Sequence, residues 1–185
     1  MTVEKVFGEL EGWFALHAPR AKEVLLPPAT PDDVAGLEKT VGVSLPTELR
    51  VLLEMHNGQD PRAFVSTLDG CRLCSCQAAG KAWSTLGELL DAGDLDQPAE
   101  SKDGKVKPVW WNKRWIPFAD AGGDLLCFDL DPGPSGAVAQ VIRFCHDEPW
   151  REQVAPTLEM FLSDYLRRLQ AGKYKLARTG GIQPQ

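Results

Sequence analysis

The feature of the sequence that most constrains its fold is a change of hydrophobic periodicity near residue 109. Before it, apolar residues recur at three- and four-residue steps, as in Val3, Val6, Phe7 and Leu10, which is the spacing of one face of an α-helix. After it come short β-rich runs separated by turns rich in Gly, Asp and Pro. This order predicts an α+β fold in which helices flank a central antiparallel meander.

The same patterns predict the individual elements. Pro19 ends the first helix, Thr30 caps the second, Asn57-Gly58 ends the third, and Thr157 caps a final amphipathic helix. A weaker helix is predicted from Ser75 to about residue 90. The predicted strands cover residues 115–119, 125–130 and 137–146, with a further strand at 150–155.

Length and composition predict one domain. A chain of 185 residues with 43% hydrophobic content is long enough for a single core. We expect that domain to cover residues 1–178, with a mobile polar loop at 91–108 and a disordered tail at 179–185.

Charge and cysteine content bear on location and partners. The net charge of −6 repels phosphate backbones, so direct nucleic-acid binding is disfavoured and a basic partner is favoured. No apolar run is long enough for a membrane span, and Glu4, Glu9 and Glu11 interrupt any N-terminal signal peptide. Five cysteines without an export signal are expected to stay reduced, which predicts a cytoplasmic protein.

Three stretches form a specific combination, although each alone is common. They are Leu26-Pro-Pro-Ala-Thr-Pro-Asp-Asp33 with Leu37-Glu38 and Val41-Gly42; Leu45-Pro-Thr-Glu-Leu-Arg50 with His56-Asn-Gly58; and Trp115-Ile-Pro-Phe-Ala-Asp120 with Gly122-Gly-Asp124, Asp129-Leu-Asp-Pro132 and Gln140-Val141. In this order, over about residues 26–170, they resemble the SUKH superfamily, which is named for fungal cell-wall-assembly regulators of the Smi/Knr type and includes bacterial relatives.

The resemblance implies an α+β fold and function by protein binding, with no catalytic residues or cofactor to transfer. Bacterial members are similar to immunity proteins that neutralise cognate toxins, often nucleases. Fungal members resemble regulatory hubs of cell-wall signalling. The leading hypothesis is therefore an immunity-type protein that binds a basic toxin, and the alternative is a regulatory or scaffold domain.

Two cysteine and histidine patterns raise a third alternative, a small hydrolase or a metal-binding protein. Cys71, Cys74 and Cys76 have a spacing that suits zinc, but a fourth ligand must come from a distant segment, so we interpret them as small core residues. Cys145 and His146 are adjacent on a predicted strand and point to opposite faces, which excludes a dyad between them. No common catalytic motif accompanies them.

Four aspartates crowd the turns of the meander: Asp120, Asp124, Asp129 and Asp131. Their spacing does not fit a calcium loop. The alternatives are plain turn chemistry and an acidic surface that faces a protein partner. Trp110 and Trp111 precede the sheet, and because neighbours on a strand point oppositely, one of them is expected to be exposed or covered by the mobile loop. We expect a binding surface of these six residues, centred on the Asp120–Asp124 end.

Overall fold

The computed structural model describes residues 2–101 and 103–185, which form an α+β arrangement as predicted. Its helices are α1 (Val3–His17), α2 (Pro19–Glu23), α3 (Pro31–Val41), α4 (Thr47–Met55), α5 (Cys76–Asp91) and α6 (Leu158–Gln170). Its strands are β1 (Arg72–Leu73), β2 (Glu100–Ser101), β3 (Trp115–Asp120), β4 (Leu125–Asp129), β5 (Gln140–Phe144), β6 (Trp150–Ala155), β7 (Tyr174–Leu176) and β8 (Ile182–Pro184).

Side-chain caps start the helices where the sequence predicts. Thr30 and Asp33 form a reciprocal capping box at the start of α3, and the hydroxyl groups of Ser75 and Thr157 accept backbone N–H bonds at the starts of α5 and α6. Each cap satisfies a donor that the first helical turn leaves without an internal partner.

The predicted meander is the centre of a six-stranded sheet. Strands β3, β4, β5 and β6 are neighbours in chain order and pair antiparallel, with Leu126 opposite Arg143 in the β4–β5 pair. Strand β1 adds to one edge next to β3, and β2 adds to the other edge parallel to β6. The expected pairing of residues 125–130 with 137–144 is thereby confirmed.

Both faces of the sheet are covered, which is why every residue of β4 is buried. Successive side chains of a strand point to opposite faces. Leu126 and Phe128 join the large core beneath α6, whereas Leu125 and Cys127 join a second cluster with Trp115. Helix α5 and the segment leading to β3 cover that second cluster through a set of partly buried apolar residues, Ala82, Trp83, Leu86, Leu90, Leu95 and Trp110.

The apolar stripes of the first and last helices predict that both pack on the sheet, and α1 differs from that expectation. It packs on α2, α4 and α6, while α6 itself contacts β5 and β6. The apolar stripe of α1 thus faces other helices in the same core, so a stripe alone does not identify which element covers it.

Three segments depart from the sequence-based expectation. Pro19 ends α1 but also starts the short helix α2, because proline suits the first helical position. The expected mobile loop at 91–108 contains β2, and its Val106 is fully buried in the second cluster. The expected disordered tail at 179–185 contains β8, which pairs with β7 and buries Ile182.

A buried arginine anchors the segment before β3. The side chain of Arg151 is only 1% exposed, and its guanidinium lies 5.0 Å from the ring centre of Trp110 and 4.8 Å from that of Phe144. It donates to five backbone carbonyl oxygens, those of Val109, Trp110, Cys145, Glu148 and Trp150. Burial lowers the pKa of Arg151 to about 10. Because this value is still well above 7, the guanidinium stays charged at neutral pH.

Several motif residues that carry the resemblance hold the backbone together. Asn57 accepts the backbone N–H of Cys76 at the start of α5. Glu38 accepts bonds from the Leu45 backbone and the Arg50 side chain, which fixes α3 against the start of α4. These residues therefore position α5, which forms one wall of the site described next.

Candidate functional site

A groove, called the main groove below, lies between α5 and the end of the sheet that carries β1 and the β3–β4 turn. Its volume is about 420 Å³. Its apolar lining comes from both walls, and the residues are Leu73, Cys74, Ala78, Ala82, Leu86 and Leu125. The charged side chains at its rim are Arg72, Lys81, Asp120 and His146. An open apolar groove with a few polar groups is a typical binding site.

A second, smaller groove of about 330 Å³ adjoins the main groove. The two share Arg72 and Asp120, whose ion pair of 2.5 Å lies between them. Phe64 lines the second groove and is 78% exposed. An exposed aromatic side chain beside a concave surface is typical of an interaction site.

Asp120 lies at the predicted end of the meander, but its carboxylate is fully engaged. One oxygen accepts from the backbone N–H groups of Gly122 and Gly123, and the other pairs with Arg72. One carboxylate oxygen of Asp124 accepts a hydrogen bond from the backbone N–H of His146 and lies 2.8 Å from Nδ1 of the His146 ring. The structure therefore places Asp120 at the rim of the groove, where it stabilises the β3–β4 turn, and Asp124 next to the groove, where it holds His146.

The hydrogen bond to Asp124 raises the pKa of His146, and the negative charge of Asp147 adds a smaller effect. We expect an NMR pH titration to give His146 a pKa above the ordinary histidine value. The pair therefore stabilises the fold at low pH and loses this contribution as the pH rises through that pKa. Asp124→Asn should lower the pKa clearly and Asp147→Asn only slightly; equal effects of the two variants would contradict this assignment.

The other two predicted aspartates do not belong to the groove. Asp129 is fully buried and accepts from the indole N–H of Trp115 and the amide of Gln140, and burial raises its pKa. Asp131 pairs with Lys107 and Asn112 at the opposite end of β4. The predicted acidic surface is corrected accordingly, because a buried carboxylate cannot meet a partner.

The predicted tryptophan anchor is also corrected. Trp111 is 2% exposed and packs edge-on against Trp115 and Phe144. Trp110 is half-buried, covers Arg151, and lines neither groove. The exposed aromatic residue beside the candidate site is instead Phe64, which lies in a segment whose sequence gives no clear helix or strand pattern.

The three closely spaced cysteines are buried in the core. Cys71, Cys74 and Cys76 are buried free thiols, and burial raises the pKa of Cys74 to about 12 and that of each of the other two to about 11. Within residues 2–101 and 103–185, the group of three or more potential metal ligands that lie close together is Asp124, His146 and Asp147, at the surface. This placement agrees with cysteine acting as a small core residue.

Sequence reasoning did not identify Lys81, Ala78 or Phe64 as site residues. The helical pattern of residues 75–90 predicts α5 correctly, but its outer face gains a role only because the β3–β4 turn lies opposite it. That proximity depends on tertiary contacts between α5 and β3. Over the same described ranges, no helix is both long and apolar enough to cross a membrane.

Comparison with known proteins agrees with the fold and the motifs. Residues 28–164 match the SMI1 / KNR4 family (SUKH-1). The cell wall biosynthesis/cell cycle regulator smi1 of Schizosaccharomyces pombe is 30% identical over 79% of this chain and 32% of its own length. The cell wall assembly regulator SMI1 of Saccharomyces cerevisiae is 24% identical over 90% of the chain and 40% of its own length.

A glucan synthesis regulatory protein of Neurospora crassa is 25% identical over 90% of the chain and 38% of its own length. The chain thus spans between about a third and two fifths of the length of these relatives. The names of these three relatives are those of regulators, and none of the three is that of an immunity protein. With the match extending over most of its length, the chain belongs to the SMI1 / KNR4 family.

Proposed function

We propose that this chain is a non-catalytic protein-binding domain of regulatory type, which holds its partner in the main groove. The observation that carries the proposal is the open apolar groove between α5 and the β3–β4 turn, beside the exposed Phe64. Concave apolar surface with a polar rim is the usual mark of a binding site.

The regulatory role is supported by the relatives, whose names describe regulators of cell-wall assembly and glucan synthesis. The immunity-type role predicted a free acidic surface for a basic toxin. Asp120 and Asp124 are instead engaged by Arg72 and His146, so they offer a basic partner little unpaired charge.

Binding is favoured over catalysis by the chemistry of the groove. Its lining includes the hydroxyl groups of Ser75 and Thr85 and the thiol of Cys74, and burial raises the pKa of this thiol to about 12. A thiol is a poor nucleophile until it loses its proton.

All five cysteines are free, which suits the reducing cytoplasm that we propose as the location of the protein.

Ala78→Arg tests the proposal. Ala78 is exposed on α5 and lines the groove, so a long charged side chain there should fill the groove without entering the core. We expect the variant to unfold at the same urea concentration as the wild type and to lose a partner that the wild-type chain captures by photo-crosslinking in cells.

Ala15→Arg is the matched control. Ala15 is exposed on α1 and lines neither groove, so the same substitution should leave capture unchanged. If the folded Ala78→Arg protein retains every partner that the Ala15→Arg protein retains, the groove is not the binding site and the proposal fails.

A further inference from the structure

The charged side chains at the rim of the main groove differ in whether they already have an ion-pair partner. Arg72 pairs with Asp120 at 2.5 Å, and His146 pairs with Asp124 at 2.8 Å. Lys81 is exposed on α5, and the ion pairs and hydrogen bonds found among the described residues do not include its ammonium group. Among the charged side chains that line the groove, the unpaired charge of Lys81 is therefore positive, although the whole chain carries −6 and the exposed Asp147 lies beside His146.

The length of the groove along α5 suits a short peptide segment. Ala78, Lys81 and Leu86 lie on one face of α5, and the nine residues from the first to the last span about 12 Å along a helix. An extended chain that rises about 3.3 Å per residue covers this distance with about four residues. One apolar side chain seated between Ala82 and Leu125 would thus leave its near neighbours close to Lys81.

Resting on the proposed function, we propose that the main groove binds a partner segment in which an apolar side chain is followed or preceded, within about four residues, by an aspartate or glutamate. The apolar side chain fills the lining formed by Leu73, Leu86 and Leu125. The carboxylate pairs with Lys81. The acidic composition predicts a basic partner, whereas Lys81 favours an acidic segment. The difference arises because the carboxylates of the turn are already paired inside the molecule.

A basic segment would be bound less well at the same place. It would have to compete with Arg72 for Asp120, whose other oxygen also caps the turn through Gly122 and Gly123. An acidic segment displaces no existing pair. Complementary charge at a rim mainly sets specificity and association rate.

Selection of peptides tests this inference. A displayed library of random twelve-residue peptides is selected on the full chain, and the same library is selected on Lys81→Glu. We expect the wild type to enrich peptides that combine an apolar residue with Asp or Glu, and the variant to enrich Lys or Arg at the same position. Enriched peptides without an acidic preference, or with the same preference on Lys81→Glu, would overturn the inference.

Affinity measurements on one enriched acidic peptide separate this inference from the proposed function. An exposed ion pair contributes a few tenths to about 1 kcal/mol, so Lys81→Met should weaken binding about two- to fivefold and should reduce its salt dependence. Ala78→Arg should abolish binding, and Ala15→Arg should not change it. Binding lost in Ala78→Arg but unaffected by Lys81→Met keeps the groove and refutes the acidic partner. Binding unaffected by Ala78→Arg refutes both.

Discussion

Arg151→Met is expected to destabilise the protein by about 3 to 5 kcal/mol, because it takes away the donor that several carbonyl oxygens share at a buried position. Methionine has a similar length and fills much of the same space, so the loss reports on the hydrogen bonds rather than on a cavity. Five carbonyl oxygens converge on this guanidinium, and two aromatic rings cover it. Urea unfolding gives the free energy of unfolding directly.

Arg167→Met is the control for this substitution. Arg167 lies on α6, its side chain is 72% exposed, and its partner is the neighbouring Asp164. Surface substitutions of this kind usually change stability by less than about 0.5 kcal/mol. A similar small loss for Arg151→Met would mean that the carbonyl groups find water or other donors, and that Arg151 does not hold the segment before β3 in place.

Gly58→Ala is expected to cost about 3 kcal/mol or more, because it combines a left-handed backbone with a steric overlap. Gly58 has a φ of 74°, and a Cβ atom built there would lie 2.2 Å from the backbone nitrogen of Ser75. The backbone on both sides is fixed, since Asn57 caps α5 and Ser75 precedes it. Urea unfolding measures the loss, and a variant that fails to fold would agree with it.

Gly36→Ala is the matched control. Gly36 lies inside α3, and apart from its chain neighbours and the backbone of its own helix, no atom of the described residues lies within 4 Å of the position of its Cβ. Alanine is favoured over glycine within a helix by about 0.5 to 1 kcal/mol, so this variant should be as stable as the wild type or more stable. If the Gly58→Ala and Gly36→Ala proteins unfold at the same urea concentration, the close approach of residue 58 to α5 is contradicted.

Local signals in the sequence account for most of the regular structure. The capping residues Thr30, Ser75 and Thr157 and the apolar periodicities predict the main helices, and alternating β-rich runs predict β3 to β6. Strands β1 and β2 are two residues long, which is too short for any periodicity to show. Helix α1 has a clear stripe, but a stripe does not say whether a sheet or another helix covers it.

The candidate site was less accessible to sequence reasoning. The Asp120–Asp124 turn was correctly placed at an end of the meander, and it does border the main groove. Its charges were misjudged, because the partners of Asp120 and Asp124 come from Arg72 and His146, which are distant in the sequence. The expectation of a tryptophan anchor was wrong for a related reason. Trp110 packs on Arg151, which lies about 40 residues further along the chain.

There is a physical reason why the sequence predicts the scaffold better than it predicts the groove. Motif residues such as Glu38 and Asn57 act through short-range hydrogen bonds at helix ends, which a sequence pattern can indicate. The groove instead depends on how far α5 lies from the β3–β4 turn. That distance is set by packing of side chains from many segments in the second core cluster, including Val106 and Leu86, and no local pattern contains it.

We propose that the groove between α5 and the β3–β4 turn holds the protein partner. The most direct test is the dissociation constant of one captured partner for the wild-type, Ala78→Arg and Ala15→Arg proteins, measured side by side by titration calorimetry. We predict no detectable binding to Ala78→Arg and unchanged binding to Ala15→Arg, with all three proteins equally stable in urea. Equal dissociation constants for the wild type and Ala78→Arg would contradict the claim.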